Sequence, residues 1–234
     1  MKRTQSLCAV SVCCVFFLLS PLMLLAETNT NLIIEHGPRD SKSIALTFDA
    51  CPTTLTDEYD KDVIAILLRE KVPATLFLSG RWVEKNAAAA KFLADQPQFE
   101  IAAHSYTHPH LLEKTDDRIV REMRRTQSII KKITGRTPRY FRPPFGETGE
   151  RAAKLALAAG LTTIQFDIAS GDPDPDLSPK RIVRTVLRNA KGGSIIVLHM
   201  NRKGAHTAEL LPAVIAGLRK RGFALVTVGE MLKM

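Results

Sequence analysis

Two histidines four residues apart, His104 and His108, follow a short apolar segment of the chain. On a single turn, two imidazoles at this spacing can point the same way and bind a divalent cation such as Zn²⁺. The spacing also arises by chance, so its position directly after an apolar segment matters to the interpretation. His110 adds a third imidazole beside Pro109, where an exposed loop histidine is the simpler interpretation. The pattern predicts a metal site at His104 and His108.

Three further polar residues, Asp49, Arg142 and His199, also stand at the ends of apolar segments. Asp49 can act as a general base on water or as a metal ligand, and it can also be a turn-forming residue. Arg142 begins a proline-stiffened loop and can hold a carboxylate by two hydrogen bonds, or form a surface salt bridge. His199 can protonate a leaving group, or be a core histidine with satisfied hydrogen bonds. Together these residue types suit hydrolysis.

Short segments that favour β-strands alternate along the chain with segments of helical periodicity. Most of the strand candidates are continuous apolar runs, which is typical of strands covered on both faces. The predicted strands are Ser43–Asp49, Ala74–Ser79, Phe99–His104, Tyr140–Arg142, Thr162–Asp167, Ser194–His199 and Phe223–Val228.

The segments between the predicted strands carry apolar residues at helical spacing and recognisable helix ends. Asp57 and Thr115 are candidate N-caps, and Gly135 lies just past the end of the second of these helices. Ser178 followed by Pro179 begins another helix. The regular alternation of strands and helices favours a parallel α/β domain.

About seven strand–helix units in about 190 residues favour an incomplete (β/α) barrel over an open sheet. Polar residues end five of the predicted strands: Asp49, His104, Arg142, Asp167 and His199. In a parallel barrel the carboxyl ends of all strands open on one face, where catalytic groups are held. We therefore expect these five side chains to share one site.

Taken in order, these segments resemble the motifs of the polysaccharide deacetylase family, also called the NodB-homology or carbohydrate esterase 4 family. The resemblance extends over nearly all of the chain after its first 40 residues. No single motif is specific, but five in the same order are. The matching segments are Thr47–Asp49, His104–His108, Arg142–Gly146, Ile164–Pro173 and Leu198–His199.

The resemblance implies a distorted (β/α) barrel and a metal-dependent hydrolase that removes N-acetyl groups from glycans. Carried over by position, Asp49 is the base, Arg142 holds that base, and His199 is the acid. His104 and His108 are the metal ligands, and Zn²⁺ is the expected cation. The expected partner is an N-acetylated polysaccharide: peptidoglycan, a chitin-type glycan or poly-N-acetylglucosamine.

The first motif departs from the family pattern at Ala50, where the family usually has a second aspartate that is the third metal ligand. A site with two histidines alone should bind metal more weakly, unless another group completes it. The candidates are water or one of Asp49, Cys51, Asp57, Asp60 and His110.

The fourth motif departs as well, because the family's tryptophan is missing and Ala169 stands where an acidic residue is common. Two aspartates remain in this segment, Asp167 and Asp172. Either can tune His199, and both are therefore candidate catalytic residues. These departures bear on metal binding and catalysis far more than on the fold.

The chain of 234 residues is 45% hydrophobic and 24% charged, which excludes collagen-like, coiled-coil and wholly disordered proteins. Its formal net charge of +9 favours acidic partners. No basic–aromatic RNA motif and no zinc-finger spacing is present, so we expect a basic surface suited to an anionic cell wall and no nucleic-acid partner. The sequence leaves the oligomeric state open.

The first 26 residues have the three parts of a secretory signal peptide, with Ala26 before the expected cleavage site. An uncleaved membrane anchor is the alternative, because the apolar run is long. We expect residues 27–40 to be a linker or arm, residues 41–234 to form the deacetylase domain, and the protein to be secreted or periplasmic. Three cysteines leave with the leader, so Cys51 then stands alone.

Two other classes of function compete with a deacetylase. A non-catalytic glycan-binding domain with a degenerate metal site is favoured by Ala50. A cysteine hydrolase would use Cys51 with a histidine, but no helix start or orienting pair that would activate this thiol is evident. A metal-assisted deacetylase accounts for more of the motifs than either alternative.

Overall fold

The computed structural model describes residues 32–52 and 59–233, which within these ranges form nine β-strands and eight α-helices. The strands are β1 Ile33–Ile34, β2 Ser43–Ala50, β3 Ala74–Leu78, β4 Phe99–Ala103, β5 Tyr140–Phe141, β6 Thr162–Ile164, β7 Ile168–Ala169, β8 Ile195–His199 and β9 Ala224–Val226. The helices are α1 Lys61–Arg69, α2 Gly80–Lys85, α3 Ala87–Asp95, α4 Asp116–Thr134, α5 Glu150–Ala158, α6 Pro179–Asn189, α7 Thr207–Lys220 and α8 Val228–Met231.

The strands form one parallel sheet in the order β1-β6-β5-β4-β3-β2-β8-β7, and β9 also pairs with β2. Helices lie in most connections between successive strands, but the connections from β1 to β2 and from β6 to β7 contain none. The two ends of the strand order, β1 and β7, are only two residues long each. The sheet curls into an incomplete (β/α) barrel, which confirms the fold class predicted from the sequence.

Strand β2 is buried along its whole length, and its alternate side chains face two different layers. Leu46 and Phe48 pack in the larger apolar cluster, which also contains the inward faces of the helices. Ala45 packs with Phe77 and Ile195 in a smaller cluster on the inner face of the curled sheet. Burial on both faces explains why the strand is a continuous apolar run in the sequence.

Several predicted helix ends are confirmed. Helix α4 follows Thr115 and stops at Gly135, whose φ of 74° is a left-handed conformation that glycine adopts without strain. Helix α6 begins at Pro179, as expected for a proline in the first turn. The cap predicted at Asp57 lies outside the described residues. The N-cap of α1 is Asp60, whose carboxylate accepts hydrogen bonds from two amides of the first turn.

The predicted strand Thr162–Asp167 is wrong in its second half. Strand β6 ends at Ile164, and the chain then crosses from one end of the strand order to the other, where β7 pairs with β8. Asp167 Oδ1 accepts a hydrogen bond from the amide of Ile195, the first residue of β8. Asp167 therefore lies at the amino edge of the sheet and does not end a strand at the carboxyl edge.

The predicted signal peptide, residues 1–26, lies outside the described residues, as does the beginning of the predicted arm. The described part of that arm belongs to the folded domain: β1 pairs with β6, and Arg39 forms an ion pair with Asp167. Within the ranges that the structure describes, every helix is too short or too polar to cross a bilayer.

Candidate active site

Four of the predicted site residues meet at the carboxyl edge of the curled sheet. Asp49 lies opposite His199 in the pairing of β2 with β8, so both side chains point to the same side. His104 and Arg142 directly follow β4 and β5, and the Nδ1 atom of His104 is 2.9 Å from the carbonyl oxygen of Arg142. Four of the five side chains expected to share one edge therefore lie there, and the fifth, Asp167, does not.

Asp49 and Arg142 form a buried ion pair, with 2.7 Å between Arg142 NH1 and Asp49 Oδ1. The other terminal nitrogen of Arg142 donates to the carbonyl oxygen of Gln165, and the guanidinium lies over the ring of Phe77. Two hydrogen bonds from Arg142 to one carboxylate were predicted. One goes to Asp49 and the other to the carbonyl oxygen of Gln165. Burial opposes ionisation of Asp49, but the Arg142 charge and the neighbouring imidazoles outweigh it and lower the pKa of the carboxyl. Asp49 is therefore ionised and able to accept a proton.

Of the two aspartates in the fourth motif, the structure brings Asp172 to His199. Asp172 is fully buried, and its Oδ1 lies 3.1 Å from Nδ1 of His199. Its carboxylate also accepts hydrogen bonds from the hydroxyls of Ser170 and Thr207 and from the amide of His199. Together these donors hold the carboxylate of Asp172 in one orientation.

The same contacts set the charge on His199. Burial by itself disfavours the imidazolium, but the carboxylate of Asp172 and the nearby Cys51 and Asp49 outweigh it and raise the pKa of His199 to about 10. His199 is therefore protonated at neutral pH and able to donate a proton.

Asp167, the other aspartate proposed to tune His199, has different partners. Its carboxylate accepts from Arg39, from the hydroxyl of Ser194 and from the amide of Ile195. All of these contacts are at the amino edge of the sheet, the edge opposite to His199. The chain crosses between the two ends of the sheet before Asp167, so the sequence motif cannot place this residue in the site.

His104 and His108 lie close together, and a third donor joins them. Their Nε2 atoms are 3.1 Å apart, and the Cys51 sulfur is 3.7 Å from Nε2 of His104 and 3.3 Å from Nε2 of His108. Burial opposes ionisation of the Cys51 thiol, but hydrogen bonds with the surrounding imidazoles outweigh it and lower the pKa to about 4. These three side chains form a donor cluster that could hold a metal ion.

The other residues that could have completed the metal site lie elsewhere or have other partners. Asp49 is paired with Arg142, and Asp60 caps α1. His110 is exposed, stacks on the ring of Phe145 and contacts a glutamate. Asp57 lies outside the described residues.

The loop that carries the two histidines is held by Glu122, a residue that sequence reasoning missed. This buried carboxylate of α4 accepts hydrogen bonds from the amides of Tyr106 and Thr107 and from the Thr107 hydroxyl. Ser105 and His108 both have positive φ, so the tight turn between the histidines needs such support. The available signal was a glutamate on the apolar face of an amphipathic helix.

A cleft of about 330 Å³ opens over these groups. Its lining includes Asp49, Cys51, both metal-site histidines, His199, Phe166 and Lys203. Phe145 is 55% exposed at the rim, with a strained φ of 59°, and the ring of His110 stacks on it at 4.0 Å. An exposed aromatic side chain beside the polar groups of the cleft suits the apolar face of a sugar ring. The stacking of the Phe145 and His110 rings at the rim of the cleft was not predicted from the sequence.

The chain belongs to the polysaccharide deacetylase family: the family model, Polysaccharide deacetylase, matches residues 36–164. This confirms the resemblance drawn from the motifs. Relatives include a peptidoglycan-N-acetylglucosamine deacetylase of Bacillus cereus, 30% identical over 84% of this chain and 70% of the relative. A bifunctional xylanase/deacetylase of Pseudobutyrivibrio xylanivorans is 33% identical over 89% of this chain, which spans only 33% of that protein.

Solved structures show the same fold. A peptidoglycan N-acetylglucosamine deacetylase superposes with a TM-score of 0.80 at 28% identity, covering 87% of this chain and 94% of that one. A pseudoenzyme of carbohydrate esterase family 4 from Bacillus anthracis superposes with a TM-score of 0.77 at 29% identity, covering 86% and 68%. The fold is thus found with and without enzymatic activity, and the side chains of the site must carry any argument for catalysis.

Proposed function

We propose that the protein is a polysaccharide deacetylase that hydrolyses the N-acetyl groups of a glycan with the help of a divalent cation. The observation that carries this proposal is one cleft with three components: an ionised carboxylate, a protonated histidine and a cluster of metal-binding donors. An amide resists hydrolysis because its carbonyl is unreactive and its amine leaves poorly, so a base, an acid and an electrophile are all needed. The names of the relatives agree with this activity.

Asp49 acts as the base that takes a proton from the attacking water. The buried guanidinium of Arg142 keeps this carboxylate ionised and fixes its Oδ1. Its Oδ2 remains 3.8 Å from His104, on the side of the donor cluster. The proton acceptor therefore lies beside the donors that would hold the cation.

His199 acts as the acid that protonates the departing amine. Asp172 binds its Nδ1, which leaves Nε2 as the nitrogen that gives up the proton. Protonation converts the leaving group into a neutral amine, so the carbon–nitrogen bond can break without forming an amide anion. Asp172 also stabilises the charge that His199 carries before the transfer.

His104 and His108 would hold the cation. Because Nδ1 of His104 donates to the carbonyl of Arg142, its Nε2 has a free lone pair for a metal. Imidazole donors suit Zn²⁺ better than Mg²⁺ or Ca²⁺. When bound, the cation supplies a Lewis acid that polarises the acetyl carbonyl.

Peptidoglycan is the favoured substrate. Relatives are named for removing acetyl groups from both of its sugars, N-acetylglucosamine in Bacillus cereus and N-acetylmuramic acid in Bacillus subtilis. The net charge of +9 and the exposed ring of Phe145 suit an anionic glycan. A cell-wall substrate also accords with the predicted export of the protein to the cell surface or periplasm.

The test is acetate release from peptidoglycan, chitin oligosaccharides and poly-N-acetylglucosamine by the purified full chain supplied with Zn²⁺. We expect release from at least one of these glycans. His108→Ala should lose about 100-fold or more of the activity and lose bound metal while remaining folded. His36→Ala, which changes an exposed histidine near the amino end of β8, is the matched control and should remain active. A fully active His108→Ala protein would remove His108 from the metal site.

A non-catalytic glycan-binding domain is the alternative, and Ala50 is the observation that favours it. Loss of the family's carboxylate at this position would leave two histidines and a weak metal site. Glycan binding with neither bound Zn²⁺ nor acetate release would support this alternative and contradict the deacetylase.

A further inference from the structure

The third side chain of the donor cluster is that of Cys51, the residue after Ala50. Side chains along β2 alternate, so Asp49 and Cys51 point toward the cleft, while Ala50 points into the core beneath the helices. Ala50 is fully buried there. The structure therefore offers a donor from position 51 and none from position 50.

The three donor atoms have the spacing of a tetrahedral metal site. With bond lengths of about 2.05 Å to nitrogen and 2.3 Å to sulfur, a tetrahedral Zn²⁺ separates two nitrogen ligands by about 3.3 Å and nitrogen from sulfur by about 3.6 Å. The observed separations are 3.1 Å between the two Nε2 atoms and 3.7 Å and 3.3 Å from them to the Cys51 sulfur. The observed separations of the three donor atoms differ from the ideal ones by no more than a few tenths of an ångström.

Neighbouring groups hold the donors in this arrangement. His104 is fixed by the carbonyl of Arg142, and the carbonyl of Cys51 accepts a hydrogen bond of 2.8 Å from the buried side chain of Asn201. Cys51 itself is only 6% exposed, and that exposure is to the cleft. Second partners of this kind are typical of metal ligands, whose direction they fix.

We propose that Cys51 is the third protein ligand of the metal, so that a thiolate and two imidazoles replace the carboxylate and two imidazoles usual in the family. The thiolate carries the same single negative charge as the carboxylate that it replaces. It is a softer donor, so the site should favour Zn²⁺ and Co²⁺ over Mn²⁺ more strongly than a carboxylate site does. All three donors line the cleft, so a cation held by them would be accessible from it, as in catalytic zinc sites with three protein ligands. This inference rests on the proposed function, because it names a ligand of the proposed metal site. Its tests measure metal binding and do not depend on activity.

The decisive measurement is the absorption spectrum of the full chain loaded with Co²⁺. A cobalt–thiolate bond gives an intense charge-transfer band in the near ultraviolet, and we expect this band in the wild type and its loss in Cys51→Ser. The matched control replaces the three N-terminal cysteines with serine and keeps Cys51; the band should persist. Absence of the band from the wild type, or its persistence in Cys51→Ser, would overturn the proposal.

Metal affinity, measured by competition with a chelator, gives a second test. Cys51→Ser should bind Zn²⁺ at least about tenfold more weakly, which corresponds to about 1.4 kcal/mol. Cys51→Asp should bind a cation without the charge-transfer band and should raise the affinity for Mn²⁺ relative to Zn²⁺ by about tenfold or more. An unchanged ratio in a folded Cys51→Asp protein, checked by circular dichroism, would contradict the proposal.

The two proposals fail in different ways. A protein that shows the cobalt–thiolate band and releases no acetate has the inferred site but lacks the proposed activity. A protein that releases acetate and keeps its Zn²⁺ affinity in Cys51→Ser is a deacetylase without a thiolate ligand. If Cys51 were instead a nucleophile, Cys51→Ser would abolish activity and leave metal affinity unchanged.

Discussion

At the scale of single residues, the charge on Asp49 and the position of Arg142 depend on each other. Removing a carboxylate from water disfavours its ionised form, and the adjacent guanidinium is the largest of the charges that offset that cost. Arg142 is itself fully buried and reaches both Asp49 and the carbonyl of Gln165. Its planar, forked head is what allows one side chain to contact both acceptors.

We therefore expect Arg142→Lys to lose about 90% or more of kcat/KM, because an ammonium group cannot reach both acceptors and cover the ring of Phe77. The measurement is kcat/KM for acetate release, with thermal unfolding to confirm that the variant folds. Arg139→Lys, which changes an arginine near the ring of Tyr140, is the control and should keep its activity. Near wild-type turnover in Arg142→Lys would reduce Arg142 to a structural charge.

At the scale of elements, strand β2 decides which side chains reach the site. A period of two residues sends Asp49 and Ala50 to opposite faces, one toward the cleft and one into the core. Position 50 thus serves packing in this chain, and in the proposed site the next residue supplies the third donor. On that proposal, the change in the motif shifts the donor by one residue.

Ala50→Asp tests this shift. A carboxylate at position 50 would enter the apolar core without a partner, so we expect a loss of about 2 kcal/mol or more in the free energy of unfolding. We expect no gain in Zn²⁺ affinity, measured by chelator competition. A gain of tenfold, about 1.4 kcal/mol, would mean that the native site lacks a ligand and that Cys51 does not supply it.

The segment between β7 and α6 provides the second test at this scale. It presents Asp172 to His199, whereas Asp167 lies before β7 at the opposite edge. Asp172→Asn should lower kcat by about 100-fold and change KM little, since an amide no longer stabilises the charged, correctly oriented imidazole. Asp167→Asn should leave kcat within about twofold of the wild type. Equal losses of kcat in the two variants would show that Asp172 has no special relation to His199.

At the scale of the whole molecule, a parallel sheet brings distant parts of the sequence to one edge. Asp49 and Arg142 are 93 residues apart in the chain, and their side chains touch. The separation is large because each of the three connections between β2 and β5 contains at least one helix. The curl of the sheet then directs the inner side chains of different strands toward one cleft.

The net charge of +9 leads to a prediction about substrate binding. If the substrate is anionic peptidoglycan, acetate release at low substrate concentration should fall by about threefold or more between about 0.02 M and 0.2 M salt, because salt screens long-range attraction. Release from uncharged chitin oligosaccharides should change little over the same range. Equal salt dependence for both substrates would contradict a role for surface charge in substrate choice.

The sequence by itself determined the fold class and most members of the site. Continuous apolar runs alternating with amphipathic helices indicate strands buried on both faces, and that pattern is a local property of the chain. Because all carboxyl ends of parallel strands share one edge, the polar residues that end β2, β4, β5 and β8 could be assigned to one site in advance. The order of the five motifs indicated the polysaccharide deacetylase family, and the match to the family model confirms it.

Only the tertiary structure decided which of the alternative residues contact each other. Asp167 and Asp172 are five residues apart in one motif, yet the crossing of the chain sends Asp167 to the amino edge and leaves Asp172 against His199. The Cys51 sulfur reaches two histidines more than 50 residues away because the pairing of β2 with β3 and of β3 with β4 fixes their distance. In a hairpin the turn fixes the register, but parallel strands joined by long connections lack that local constraint, so packing between distant segments decides which side chains meet.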